Sequence, residues 1–412
     1  MMHISCTFKK TNLGMAMSLK RSCTSSSQEV VLRDEDLLTL ILLRVPRTRH
    51  NLLKSVSKQW QCLITAPHFR NLLPPLRASG LFIQVPVEVS SGDNVYFVPL
   101  DDPRTAPLFR NLEKVCILQS CNGLLLCSDA LRTHYVYDSS TDQLASLPRH
   151  GLDTGNGFRY VGLAYDPSKS LHYKVIAFVT RRRAQLFHHE RDFYVYSSET
   201  KTWKSSVQSF ISGPGMYFND GVYWKGRMHW LSSLNYVSEP ESALSECLYF
   251  NVDEERLGTF PRPPIRVWSN SRRSLYFGES EDHLHVVEAR PYANSLSVYE
   301  MKSDYSEWFV KYRIDLDPIS RDFPEIKEKD MFDEENDHEP VVNVLSLIRR
   351  ENFHEDSFAV LEIPGKAIRY NLVDRSFQLI RDFGADLDFD PKINDYSLCD
   401  FTACQYIVNL NV

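Results

Sequence analysis

One local pattern recurs six times along this chain and limits its fold more than any other feature. An aromatic-rich run reaches a polar turn, and in most copies a second run follows. The copies are "VYFVPLDDP" from residue 95, "YVYDSSTDQL" from 135, "FYVYSSETKTW" from 193, "LYFNVDEERL" from 248, "LSVYEMKSDYSEW" from 296 and "IRYNLVDRSFQL" from 368. Val, Ile, Tyr and Phe suit a pleated, half-buried surface, and the Asp, Ser, Asn and Gly between them suit turns, so each copy reads as strand and turn. Phe97, Tyr137, Tyr196, Phe250, Tyr299 and Tyr370 mark the copies at separations of 40, 59, 54, 49 and 71 residues. Such spacing fits four-stranded propeller blades with loop insertions. A β-sandwich would explain the alternation but not six spaced copies.

Between the copies lie further strand pairs that bend at Gly or at a polar pair: "LQSCNGLLLCS", "GVYWKGRMHWLS" and "LYFGESEDHLHVVE". They read as the inner strands of the same blades. The last strand-like run, "ACQYIVNL" at 403–410, is expected to pair with residues 80–89 and close the ring, which removes exposed sheet edges. The propeller-like domain is thus expected over 79–412.

Upstream the periodicity is helical. In "DLLTLILLRVP", residues 36–46, Leu37, Leu38, Ile41, Leu42 and Val45 share an arc of about 140°, wider than the roughly 100° stripe of a surface helix, while Leu40 and Leu43 fall outside it. Asp34, Glu35 and Asp36 favour the positive end of the helix dipole, and Pro46 is expected to stop the helix. Asn51 is expected to cap a second helix, "LLKSVSKQWQCLI", whose Leu52, Leu53, Val56, Trp60, Leu63 and Ile64 gather on one side. About forty residues rarely sustain a core alone. The surplus apolar face therefore points to an outside partner.

These residues resemble the F-box, the helical module that docks substrate receptors onto the Skp-family adaptor of cullin–RING ubiquitin ligases. The matching phrases are "DLL" at 36–38, "IL" at 41–42, "RVP" at 44–46, "KSVSKQW" at 54–60 and "LI" at 63–64, followed by Pro67 and Phe69. The pattern departs at Arg33-Asp34, at Leu40 and at His50-Asn51, where the family carries Leu-Pro, an acid and Leu-Leu. Downstream, "SCNGLLLCS", "LAYDPSKSLHYKV", "VYSSETKTW", "GVYWKGRMHWLS", "YFGESEDHLHVVE" and "VYEMKSDYSEWFVKYRIDL" resemble the F-box-associated, kelch-related β-propeller of the large plant F-box family.

Residues 1–28 lack Asp and Glu and are Ser/Thr-rich towards the end, so 1–29 is expected to be a disordered leader in preference to a targeting peptide. The resemblance implies a multidomain chain with a small all-α F-box at 30–72 and an all-β propeller from 79 onward. It implies a non-catalytic substrate receptor of a ubiquitin ligase. The adaptor-facing residues would be Leu37, Leu38, Ile41, Leu42, Val45, Pro46, Val56, Trp60, Leu63 and Ile64. The partners would be a Skp-family adaptor, a cullin–RING scaffold reached through it, and a protein target that the sequence does not name. The rivals are a propeller-fold enzyme and an F-box scaffold without a degradative role.

The remaining features are weighed by their chemistry. A formal charge of -6 leaves no whole-chain footprint for nucleic acid or an anionic membrane, and no apolar run approaches the roughly 18 residues of a membrane span. Nine cysteines without a C-x-x-C pair suit a reducing compartment, cytoplasmic or nuclear. His188-His189-Glu190 and His283 with His285 lack partners at zinc-site spacing, so no metal is expected. No cofactor or nucleophile motif is present either. Cys116, Cys121 and Cys127 read as core, and Trp203, Trp224, Trp230, Trp268 and Trp308 as fillers between blades. The nine acids within 321–339 read as a mobile surface loop. Arg181, Arg182 and Arg183 are expected in a connection between strands, by default a solvated loop and on the sharper reading a cationic lip for an acidic or phosphorylated target segment.

Overall fold

The computed structural model describes residues 34–45, 50–73, 77–85, 94–100, 115–139, 141–148, 160–182, 189–212, 218, 221–232, 246–265, 276–289, 294–326, 342–350, 356–383 and 401–407. The chain divides into two compact units, Met1–Val45 and Pro46–Val412.

The first unit carries helix α1, Glu35–Leu43. Asp34 caps it, its carboxylate accepting the Asp36 and Leu37 backbone N–H groups at 3.0 and 3.1 Å. The helix ends at Leu43, before Pro46, with the Arg44 N–H turned back onto Ile41 O and Leu42 O. The expected apolar arc is split. Leu38 and Leu42 are buried, whereas Leu37, Leu40 and Ile41 are 41, 57 and 45% exposed.

The second unit opens with α2 (His50–Lys54), α3 (Lys58–Thr65) and α4 (Pro67–Leu72). The single helix expected over 52–64 is broken, and Asn51 lies inside α2 instead of capping it. The cause is local. Ser55, Val56 and Ser57 are weak helix formers, and Ser57 adopts an extended backbone so that its Oγ caps α3 by accepting the Trp60 N–H at 3.2 Å. His50 is buried and meets Phe69 edge-on at 5.6 Å, so that departure from the F-box pattern fills the interior of the segment. Among the described residues no helix is long and apolar enough to cross a membrane.

The rest is a six-bladed β-propeller. Five sheets have four antiparallel strands each: β3 to β6, β7 to β10, β11 to β14, β15 to β18 and β19 to β22. Their innermost strands are β3 (Cys116–Cys121), β7 (Tyr160–Ala164), β11 (Val222–Trp224), β15 (Tyr276–Ser280) and β19 (Asn343–Ile348). The sixth sheet has β23 (Thr402–Ile407) innermost, then β1 (Ala78–Val85), then β2 (Asn94–Pro99). The C-terminal strand therefore closes the ring on the N-terminal one, as expected, with Phe82 opposite Cys404 and Ile83 opposite Ala403.

Closure is also visible in the core. The described residues form six hydrophobic clusters, each built from two neighbouring blades. Leu163 and Val175 pack with Leu126 and Val136, Phe193 with Trp230 and Phe250, and Trp224 with Leu284 and Val286. Val298 packs with Leu347 and Leu361, Phe358 with Leu81 and Ile83, and Phe82 with Leu125 and Tyr137. The six aromatic markers all lie on third strands counted from the centre, in β2, β5 (His134–Asp138), β9 (His189–Ser197), β13 (Cys247–Asn251), β17 (Ser295–Met301) and β21 (Lys366–Asn371). Trp224, Trp230 and Trp308 are buried between blades and Trp203 packs against one such cluster, while Trp268 lies outside the described residues. Cys121 and Cys127 are buried and Cys116 is partly so.

Candidate functional site

The innermost strands run in the same direction, which gives the ring two unlike ends. At the end where they finish, inner hairpins turn in two residues with positive φ: Asn122-Gly123, Lys225-Gly226 and Glu281-Asp282. Both residues of such a turn must be left-handed to match the twist of the strands. The helical segment enters here, because β1 starts opposite the end of β23, Ala78 facing Ile407. The other end holds the longer connections. A central cavity of about 980 Å3 runs between the two ends, lined at this end by Cys116, Arg132, His134, Tyr160 and Thr402 and towards the turns by Asn122 and Glu279.

Most polar side chains around this cavity are spent on stitching blades together. Gln84 on β1 accepts the Ile117 N–H at 2.6 Å and donates to Ile117 O at 3.0 Å in the next blade. Gln119 on β3 repeats the device on Leu163, at 2.7 and 3.2 Å. Ser120 donates to Gln405 O, and the Gln405 amide nitrogen reaches Ser346 Oγ at 3.3 Å and Glu279 O at 3.4 Å. Edges of inner strands present backbone groups without a further sheet partner, and these amides satisfy some of them.

Glu279 on β15 differs. Its Oε1 accepts the Asp282 N–H at 2.7 Å, steadying a turn in which neither left-handed residue is glycine. The same turn is held from three further directions: Arg77 and Arg350 reach Glu281 at 3.2 and 3.3 Å, Lys225 reaches Asp282 at 3.6 Å, and Trp224 Nε1 donates to Asp282 O at 2.8 Å. Glu279 lines the cavity and is half-buried, keeping part of its surface open. Burial pushes its carboxyl up to about 7, assisted by the neighbouring Asp282 and Glu281 charges and opposed by the turn N–H and His283. Glu279 is one of the residues that line the central channel, across the ring from β3.

A second polar cluster lies between the blades of β15 and β19. Glu300 on β17 receives His283 and His285 at 3.3 and 3.2 Å, Arg349 at 3.0 Å and Lys311 at 3.8 Å. Burial alone would raise its carboxyl, but the hydrogen bonds and charges of both histidines hold it well below the usual carboxylate range. Burial keeps the His285 pKa below the ordinary histidine value. The histidine pair noted in the sequence thus converges on a carboxylate.

The structure corrects the setting of the arginines. Arg181 and Arg182 belong to β8 (Lys174–Arg182) and pair with Glu190 and His189 of β9, so they do not sit in a connection, and His189-Glu190 is strand as well. The cause is the length of this blade, in which β8, β9 and β10 (Thr202–Ser212) continue four positions beyond Tyr160, the start of β7. The result is a three-stranded ridge at the end where the inner strands begin. Its root is held by Arg191, whose guanidinium lies 4.3 Å from the Phe218 ring and 5.1 Å from Phe178. Arg183 and His188 lie outside the described residues, as does most of the acidic 321–339 stretch, of which Arg321–Ile326 form the end of α5 (Asp317–Asp322) and a 3-10 turn.

The sequence-proposed adaptor residues are distributed unevenly. Leu37, Ile41 and Val56 are exposed, Val45, Trp60 and Leu63 half-buried, Leu38, Leu42 and Ile64 buried, and Pro46 lies outside the described residues. Sequence reasoning missed Gln84, Gln119, Glu279 and Gln405. Their only signal was a polar side chain inside or beside an apolar inner strand.

Comparison with known proteins accords with this architecture. Residues 99–368 match the family described as the F-box associated beta propeller domain. F-box protein At5g07610 of Arabidopsis thaliana is 30% identical over 433 aligned residues, covering 95% of this chain and 96% of its own length. F-box protein At5g49610 of the same plant is 28% identical over 280, covering 64% and 73%. Among solved structures, the beta-propeller domain of the Trilobed protease from Pyrococcus furiosus aligns with 75% of this chain and 84% of its own at a TM-score of 0.35 and 10% identity. With its six-bladed ring, a family match over most of the propeller and a plant relative aligned along nearly its whole length, this chain belongs to the plant F-box proteins that carry an F-box associated beta propeller domain.

Proposed function

We propose that the chain is the substrate-recognition subunit of a cullin–RING ubiquitin ligase. Its N-terminal helices would dock as an F-box on a Skp-family adaptor, and its propeller would recruit a protein target. The observation that carries the docking half is the apolar stripe of α1. Leu37, Leu40 and Ile41 stand at i, i+3 and i+4 with 41 to 57% of their surface open. Covering such side chains contributes about 1.5 to 3 kcal/mol each. Leu38, Leu42 and Ile64 are already buried and so are not free to be covered by an adaptor.

In this reading the chain makes and breaks no bonds itself. It holds a target beside the ubiquitin-conjugating enzyme and raises the effective concentration of the target's lysines, in the cytoplasm or nucleus. The test is affinity capture with the proteasome blocked, comparing the intact chain with a Leu37→Asp, Ile41→Asp double variant. Two carboxylates in a desolvated interface should abolish capture of adaptor and cullin while the propeller's melting temperature is unchanged. Undiminished adaptor capture by the folded variant would remove the docking assignment, and turnover of a small molecule by the purified chain would favour a propeller enzyme.

A further inference from the structure

Glu279 is the cavity-lining carboxyl whose chemistry the ring does not use up. The amides of Gln84 and Gln119 each bond both ways to a neighbouring strand, whereas the Glu279 carboxylate accepts one turn N–H on Oε1 and turns its remaining surface to a cavity of about 980 Å3. The other charged or titratable nitrogen groups lining that cavity, Arg132 and His134, lie towards its other end, His134 level with Cys116 at the start of β3. At about 3.3 Å per residue they are roughly 15 Å from the level of Glu279, too far to neutralise it.

We propose that the central cavity is a binding site for a primary ammonium group, carried on an unbranched chain and held by Glu279. An enclosed carboxylate is costly to ionise alone, and a cation within hydrogen-bond reach removes that cost while forming a charge-assisted bond. The lone pairs needed for the other ammonium protons are at hand in the same wall, where Gln405 and Ser346 meet beside Glu279 O. A metal ion does not suit the site, because no group of three His, Cys, Asp or Glu side chains among the described residues is placed to hold one. Leu118, bulged out of the β3–β4 pairing and 41% exposed, gives the opposite wall an apolar surface for the methylene chain. The site requires neither adaptor nor ubiquitin chemistry, so it stands apart from the proposed receptor role.

Titration calorimetry on the full chain tests it with three probes. Cadaverine represents a free amine, N-acetyl-lysine methylamide a lysine side chain, and N-acetyl-norleucine methylamide is the uncharged control. At least one ammonium probe should bind and the norleucine compound should not; which of the two binds tells a small amine from a lysine of a protein segment. Glu279→Gln should weaken binding about tenfold or more, the scale of one bond to a charged group, while Glu254→Gln in an exposed turn should leave it unchanged. Leu118→Trp, which narrows the cavity and keeps the carboxylate, should also lower uptake. Failure of both ammonium probes at millimolar concentration, equal binding by Glu279→Gln, or equal binding of norleucine would each overturn the assignment.

Discussion

At the scale of single residues, the ring sets two carboxyls on opposite courses. Glu279 titrates near 7 in the folded chain against 4.5 ordinarily, so between those values the unfolded chain ionises first and folding loses stability as pH rises. The loss is complete above about 7, and because the group is partly open to the cavity its size is about 1 to 3 kcal/mol. Glu279→Gln should lack this slope. In urea melts the variant should gain on the wild type between pH 5 and pH 8, and parallel curves would show that the carboxyl is already solvated. Glu300 acts in the other sense: its carboxyl is held low, contributing stability above the ordinary carboxylate pKa that disappears as pH falls through the folded value. Glu300→Ala would leave His283, His285, Arg349 and Lys311 without the carboxylate they share. A cost of about 3 to 5 kcal/mol follows, read from the shift in denaturation midpoint at constant slope.

At the scale of elements, β23 has the largest effect for its length. Its six residues pair with β1 along one edge, five of them line the cavity, and Tyr406 makes edge contacts with Phe82 and Phe97 at 5.7 and 5.4 Å. Ending the chain before Thr402 would expose β1 as an open edge and uncover the cluster around Phe82. The shortened chain is expected to aggregate or melt at least about 10 °C lower, by analogy with losing several buried side chains at once; unaltered melting would mean that the ring does not depend on this closure. The helices show how finely an element answers to its residues. Helical periodicity runs through 52–64, yet a single serine hydroxyl with an extended backbone divides it at Ser57.

At the scale of the whole molecule, the two ends of the ring differ. The helical segment enters beside the short turns, and the ridge of β8, β9 and β10 rises from the end where the inner strands begin. In a propeller the blades carry the fold and the end surfaces are free to vary, so on the proposed receptor reading a target would be recruited at the ridge end. Changing Arg181, Arg182 and Arg183 together to Ser should remove acidic or phosphorylated targets from the captured set without altering adaptor capture. Surface charge changes usually move stability by less than about 0.5 kcal/mol. An unchanged set of captured proteins at physiological salt would discard the arginines as a recognition element.

How far each feature was legible follows from the range of the interaction behind it. Alternation of strand-favouring residues, two-residue turns such as Asn122-Gly123, and an aromatic on the third strand of each blade are local in sequence. They were enough to read the strand hairpins, the spaced repeat and the closing strand. Local pattern also marked α1 as over-apolar, but not which leucines would be covered, because neighbours at i and i+1 on one helix face can meet different surroundings. The inner ring depends on contacts between residues far apart in sequence, such as Gln84 with Ile117, Gln405 with Ser346, and Gln405 with Glu279. A glutamate in a short strand carries no mark of whether it will face solvent or an enclosed cavity. That is decided only when six blades close around it and remove the water that would otherwise hold its charge.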